Sequence, residues 1–159
     1  MREMSTGLFL WIVGGTCGAV FAGVLAWGKF SAEASAPLSA TALQSIGNIP
    51  ICVGTVRTTC VVDGDTIWIE GVKIRIADID TPEIGEPKCE SERALGHRAK
   101  DRLRELLNTG PFELVASGRD EDKYGRKLRV VVRDGRSLGD QLVAEGLART
   151  WSGRREPWC

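Results

Sequence analysis

The chain contains one histidine and one tyrosine, and its 21 Lys and Arg are matched by 21 Asp and Glu. With a single histidine there is no His pair to complete a zinc site beside the cysteines. The zero net charge removes the bulk positive field of a protein that coats nucleic acid non-specifically. Any phosphate chemistry must therefore rest on a few placed charges. Internal repeats are also lacking. Setting aside an apolar amino-terminal segment, the rest suits one domain of roughly 100–120 residues, long enough for a real core.

That apolar segment is the one long hydrophobic run. Gly7 to Trp27 carries no charge and is rich in Leu, Ile, Val, Phe and Trp. About 20 apolar residues span a bilayer as a helix, whereas the apolar part of a secretory signal is usually about 7–15 residues. We therefore expect an uncleaved N-terminal hydrophobic helix within residues 1–30, anchoring the chain in a membrane. Cleavage near Ala32-Glu33-Ala34 or Ala34-Ser35-Ala36 is the competing reading. On either reading the remainder is exported to the non-cytoplasmic side, tethered or secreted. Residues 31–48, rich in Ala and Ser, read as a flexible linker, and residues 49–159 as the domain. Cysteine usage agrees with export. Besides Cys17, the chain has Cys52, Cys60, Cys89 and Cys159, which allow three pairings. We expect Cys52–Cys60 and Cys89–Cys159, the second tying the carboxy terminus to the loop after Glu83. Four free buried thiols are the alternative.

Val61 to Glu83 organises the domain. Ile67 and Ile69, then Ile74 and Ile76, alternate with polar residues, the period of half-buried strands. Glu70-Gly71 between them suits a two-residue hairpin. Asp63, Asp65, Asp80 and Glu83 stand where strands begin or end, and Arg75 points out of the second strand. The hairpin would gather oxygen ligands at one rim, with a guanidinium beside them. Ile51 to Val62 reads as a preceding strand. Glu90 to Asn108 is a helix with Leu95, Ala99, Leu103, Leu106 and Leu107 on one face. Phe112–Ala116 and Leu128–Val132 read as two more strands around a polar turn. Ser137 caps a short second helix that stops at Gly146, and Leu147 to Trp151 adds an edge segment. Three strands, a helix, two strands and a helix predict an α+β fold, a five-stranded OB-type β-barrel with two helices.

Three motifs in this order, Asp63-Gly64-Asp65-Thr66, Arg75 followed by Asp80-Thr81-Pro82-Glu83, and Asp122-Lys123-Tyr124-Gly125-Arg126, resemble the staphylococcal nuclease (thermonuclease) family over about Thr58 to Trp151. The resemblance implies the OB barrel and a Ca²⁺-dependent nuclease acting on DNA and RNA, with a monomeric catalytic domain. It implies calcium held by Asp65 and Asp80 and by the Thr81 backbone carbonyl. It implies catalysis by Glu83, Arg75 and Arg126, and contact of Lys123 and Tyr124 with a terminal phosphate of the substrate. The chemistry is consistent. Hard carboxylate oxygens suit Ca²⁺, with Mg²⁺ or Mn²⁺ as alternatives. A glutamate can take a proton from attacking water, and guanidinium forks match phosphate oxygens. The sequence departs from the family pattern in two ways. Tyr124 stands alone where the family has further pocket tyrosines, and Arg154 to Cys159 stand where its third helix would begin. A non-catalytic OB-type module binding nucleic acid or protein is the alternative function.

Overall fold

The hairpin forms where the alternating isoleucines place it. Ile69 lies opposite Val72 and Ile67 opposite Ile74. The linking residues Glu70 and Gly71 take positive φ angles of 49° and 80°, the turn whose twist matches the strands it joins. The computed structural model describes residues 42–43 and 47–159. The expected membrane helix and most of the linker lie outside the described residues. Among the described residues no helix is long and apolar enough to cross a membrane.

In chain order the elements are β1 (Ala42–Leu43), β2 (Cys60–Asp63), β3 (Thr66–Ile69), β4 (Val72–Ile76), β5 (Ile79–Asp80), α1 (Glu90–Asn108), β6 (Phe112–Glu121), β7 (Lys127–Arg133), β8 (Arg136–Ser137), α2 (Leu138–Ala144) and β9 (Arg149–Thr150). One mixed sheet runs β1-β6-β7-β4-β3-β2, with β8 beside β7. Its one parallel ladder joins β4 to β7, with Arg75 opposite Leu128. β5 and β9 form a separate antiparallel pair that sets Asp80 opposite Arg149.

Two expectations are corrected. The fold is α+β with two helices, but the OB-like sheet is not a closed five-stranded barrel: its end strands β1 and β2 do not pair. The reason lies at the outer edge of β2. Val61 N–H donates to Pro50 O, and Cys52 N–H to Val61 O, both at 2.9 Å. That edge is therefore used before β6 could reach it. The single strand expected over Ile51–Val62 is likewise broken. Ile51 makes an isolated bridge to Val61, an exposed loop with Gly54 at φ 67° follows, and regular pairing resumes only at Cys60. The Cys52–Cys60 disulfide joins the two ends of that loop.

The helices form because their apolar stripes meet the sheet. α1 buries Ala99, Leu103, Leu106 and Leu107 against the strand isoleucines, with Leu95 partly covered. Each fully buried Leu contributes about 1.5–3 kcal/mol by removal from water. At the end of α1, Asn108 Oδ1 accepts from Ile49 N–H at 2.7 Å and its Nδ2 donates to Ile49 O at 2.9 Å. This pins the chain that enters β2. In α2, the Ser137 Oγ accepts from Asp140 N–H at 3.2 Å, as its sequence position predicts. Both expected disulfides, Cys52–Cys60 and Cys89–Cys159, are present.

Gly96 fixes how closely α1 approaches the strand-to-helix loop. A Cβ there would lie 2.7 Å from Pro82 O and 2.9 Å from Ile84 Cγ1. Alanine ordinarily favours a helix over glycine by about 1 kcal/mol, but overpacking against backbone costs about 1–3 kcal/mol. We expect Gly96→Ala to lower the urea-unfolding free energy by about 1–2 kcal/mol. A more stable variant would mean that the loop retreats freely.

Candidate active site

Arg75 is the centre of the site. It leaves β4 on the face opposite Ile74 and Ile76, yet it is only 7% exposed. Its Nη1 contacts Asp65 Oδ2. Its Nη2 lies 3.6 Å from Asp80 Oδ1 and donates to Ile79 O at 3.1 Å. The ring of Trp151 lies 5.7 Å from its Cζ. Asp65 comes from the β2–β3 turn and Asp80 from β5, so the hairpin and the following strand converge on one guanidinium. Thr81 is also buried, and its N–H donates to Asp65 Oδ2 at 3.3 Å.

The carboxylates respond to that crowding. Burial opposes ionisation of Asp65, but the charge of Arg75 and hydrogen bonds from Asp63, Arg75 and Thr66 hold its carboxyl below the usual range. Burial, and then the charge of Asp65, pushes Asp63 up to about 7. Asp80 is raised by burial against the opposing pull of Arg155. Three neighbouring carboxylates, Asp63, Asp65 and Asp80, thus lie beside two guanidiniums, Arg75 and Arg155. Among the described residues no three His, Cys, Asp or Glu side chains converge closely enough to hold an ion by themselves. The buried all-oxygen pair Asp65 and Asp80 nevertheless fits a hard cation whose remaining ligands are carbonyls or water.

Glu83 follows two residues after Thr81, at the start of a loop that ends at α1. That loop is braced by Glu92, which is 4% exposed. Glu92 Oε2 accepts from Lys88 N–H at 2.5 Å, and its Oε1 accepts a longer bond from Glu83 N–H at 3.4 Å. The other wall of the site is the β6–β7 hairpin tip. Asp122 Oδ1 accepts from Tyr124 N–H at 2.9 Å and Arg126 N–H at 3.0 Å, while its Oδ2 accepts from Arg126 Nε at 2.6 Å. Gly125, at φ 75°, closes this turn as only glycine readily does. Tyr124 is 71% exposed, with Lys123 Nζ 4.9 Å and Arg126 Cζ 5.5 Å from its ring centroid.

Arg75, Glu83, Lys123, Tyr124 and Arg126 line a single cleft of about 690 Å³, with Trp151 and Arg155. The fold therefore brings every predicted side chain to one place: five line the cleft, and Asp65 and Asp80 flank Arg75 beneath it. Sequence reasoning missed the brace Glu92, which reads as an ordinary acidic residue in the first turn of a helix. Arg155 also lies outside the three motifs, in the segment that stands where the family's third helix would begin. Arg155 Nη1 contacts Glu83 Oε1, and its Nε lies 3.1 Å from Asp80 Oδ1. His97 is exposed and Trp68 half-buried in its strand, away from the cleft lining.

A family profile described as "Staphylococcal nuclease homologue" matches residues 73–157, more than half of the chain. The chain is 41% identical over 93 residues to "Endonuclease YncB" of Bacillus subtilis (strain 168), covering 55% of this chain and 44% of that protein. It is 41% identical over 93 residues to "SPbeta prophage-derived endonuclease YokF" of the same organism, covering 55% and 31%. It is 35% identical over 101 residues to "Micrococcal nuclease" of Shigella flexneri, covering 55% and 53%. The chain thus spans about a third to a half of the length of these relatives.

The brace is open to test. We expect Glu92→Gln, which turns one acceptor into a donor facing a backbone N–H, to speed hydrogen exchange of the Glu83 and Lys88 amides at least tenfold while amides of β3 and β4 stay protected. Unchanged exchange in the loop would show that Glu92 does not hold it.

Proposed function

We propose that this chain, which belongs to the staphylococcal nuclease homologue family, hydrolyses phosphodiester bonds of DNA or RNA in the cleft between the Glu83 loop and the β6–β7 hairpin tip. The observation that carries this reading is the placing of one carboxylate, Glu83, and two guanidiniums, Arg75 and Arg126, on the walls of one cleft above the Asp65–Asp80 pair. The printed names of the relatives, endonuclease and micrococcal nuclease, support it.

The reaction is attack of water on phosphorus. Glu83 takes a proton from the water as the new P–O bond forms, general-base action worth about 10²–10⁴-fold. Arg75 and Arg126 donate to the equatorial oxygens, where charge grows as phosphorus becomes five-coordinate. The scissile P–O bond breaks, and the departing oxygen takes up a proton. Their rigid holders matter because preorganised donors do not reorient during the reaction. Arg75 is fixed by Asp65 and Ile79 O, and Arg126 by Asp122. Asp65 and Asp80, with the Thr81 carbonyl, are the groups that would hold a divalent cation, Ca²⁺ by donor type. Such an ion supplies charge neutralisation at a phosphoryl oxygen. Lys123 and Tyr124, exposed at the hairpin tip, contact the terminal phosphate of the substrate.

Outside the described residues, Gly7 to Trp27 is proposed as a retained anchor that holds the catalytic domain on the non-cytoplasmic side. Both disulfides agree with an oxidising compartment. Mass spectrometry of the mature protein is expected to recover residues 1–36, and a product starting near Ser35 would overturn retention.

Digestion of single-stranded DNA tests the activity. We expect cleavage with calcium, none with EDTA, and a kcat lowered about 10²–10⁴-fold in Glu83→Gln. Arg126→Lys should lower kcat far more than it raises KM, because a single ammonium does not reproduce the fork. Oligonucleotide binding without turnover, indifferent to calcium, would instead make the domain a binding module.

A further inference from the structure

The carboxy-terminal tail is bound to the site by an unusual density of contacts for six residues. Arg155 bridges the candidate cation ligand Asp80 and the candidate base Glu83, its Nη1 on Glu83 Oε1 and its Nε 3.1 Å from Asp80 Oδ1. Trp158 Nε1 donates to the other oxygen, Asp80 Oδ2, at 3.3 Å. Trp158 is itself held against Arg149, whose Cζ lies 3.9 Å from the ring centroid, and Arg149 Nη1 donates to Pro157 O at 3.0 Å. The Cys89–Cys159 disulfide ties the last residue to the start of α1, beside Glu92.

These contacts share a chemistry. Both oxygens of Asp80, a side chain only 4% exposed, are used by donors from the tail. Two carboxylates brought close by the fold need a positive charge between them, and Arg155 provides it. A divalent cation held by Asp80 would need one of the same oxygens.

We infer that Arg155 is a further affinity-determining residue of the site: a tethered internal cation that occupies Asp80 and Glu83, must be displaced for a divalent ion to bind Asp80, and is kept at high local concentration by the Cys89–Cys159 disulfide. This inference rests on the reading of Asp65 and Asp80 as ion ligands. A covalent tether makes the competition intramolecular, so it does not fade with dilution. The tail then sets the calcium concentration at which the site fills. Arg155 is half-exposed, its side chain 44% accessible, which lets it swing from the carboxylates into the cleft it already lines.

Calorimetric titration of the full chain with calcium alone tests this, without any substrate. Arg155→Ala is expected to bind calcium about tenfold more tightly than the parent, the size of one charge-assisted hydrogen bond released. Arg155→Lys should stay within about threefold of the parent, because the charge remains. The double variant Cys89→Ser, Cys159→Ser should fall between the parent and Arg155→Ala. In the parent, calcium should also speed tryptic cleavage after Arg154 and Arg155, as the displaced tail becomes accessible. Asp80→Asn separates the two readings. If it abolishes calcium binding while Arg155→Ala leaves affinity unchanged or weaker, the tail's role is overturned and the site stands. If no chain binds calcium, both fall.

Discussion

The buried guanidinium of Arg75 is the constraint to which the site answers. A charge out of water must be paired, and removing one partner of such a group costs several kcal/mol because the others are left uncompensated. Arg75 meets that demand with Asp65 from the turn before β3, Asp80 from β5 and the carbonyl of Ile79. Its pairing therefore fixes the direction in which the chain leaves β4. β5 has only two residues and would have little stability alone, but here it is held between Arg75 and β9. Thr81, Pro82 and Glu83 follow directly from that strand, so the position of the candidate base inherits the precision of the buried ion pair.

Two walls of the cleft, the Glu83–Lys88 loop and the β6–β7 hairpin tip, are each braced by one acidic side chain. Glu92 accepts backbone N–H groups from both ends of the Glu83–Lys88 loop, and Asp122 accepts three N–H groups from the hairpin tip. A catalytic group on a loop is only as well placed as the residues that stop the loop moving. The division of labour among the carboxylates follows from their neighbours. Glu83 faces the cleft, Asp65 and Asp80 face Arg75, Glu92 faces backbone, and Asp122 faces backbone and the Arg126 guanidinium.

Much of this was legible in the sequence because it was local. Alternation in Ile67, Ile69, Ile74 and Ile76 revealed the hairpin, since one face of each strand meets the core. α1 was readable because its apolar stripe, Leu95 to Leu107, extends over about three and a half turns. The site residues were readable through the order and spacing of three motifs. What failed was non-local. Ile51 to Val62 reads as one strand, but Ile51 pairs at a single bridge, and by taking the edge of β2 the chain from Pro50 to Cys52 prevents the barrel from closing as a ladder. Glu92 carries no signal beyond that of an acidic helix start, because its acceptors are used by a loop that no periodicity describes. Arg155 lies 75 positions from Asp80, and only the β5–β9 pairing and a disulfide bring them together.

The bond between Cys89 and Cys159 joins positions 70 apart, and so makes a covalent ring of α1, the β6–β7 hairpin, α2 and the tail. The exposed tip carrying Lys123 and Tyr124, where a protease would most readily cut, lies inside that ring. A single nick there would leave both pieces linked through sulfur, with the β6–β7 ladder still in register on either side of the break. Arg126 on one fragment and Glu83 on the other would not drift apart, so a domain of this design could be cut once and remain one molecule.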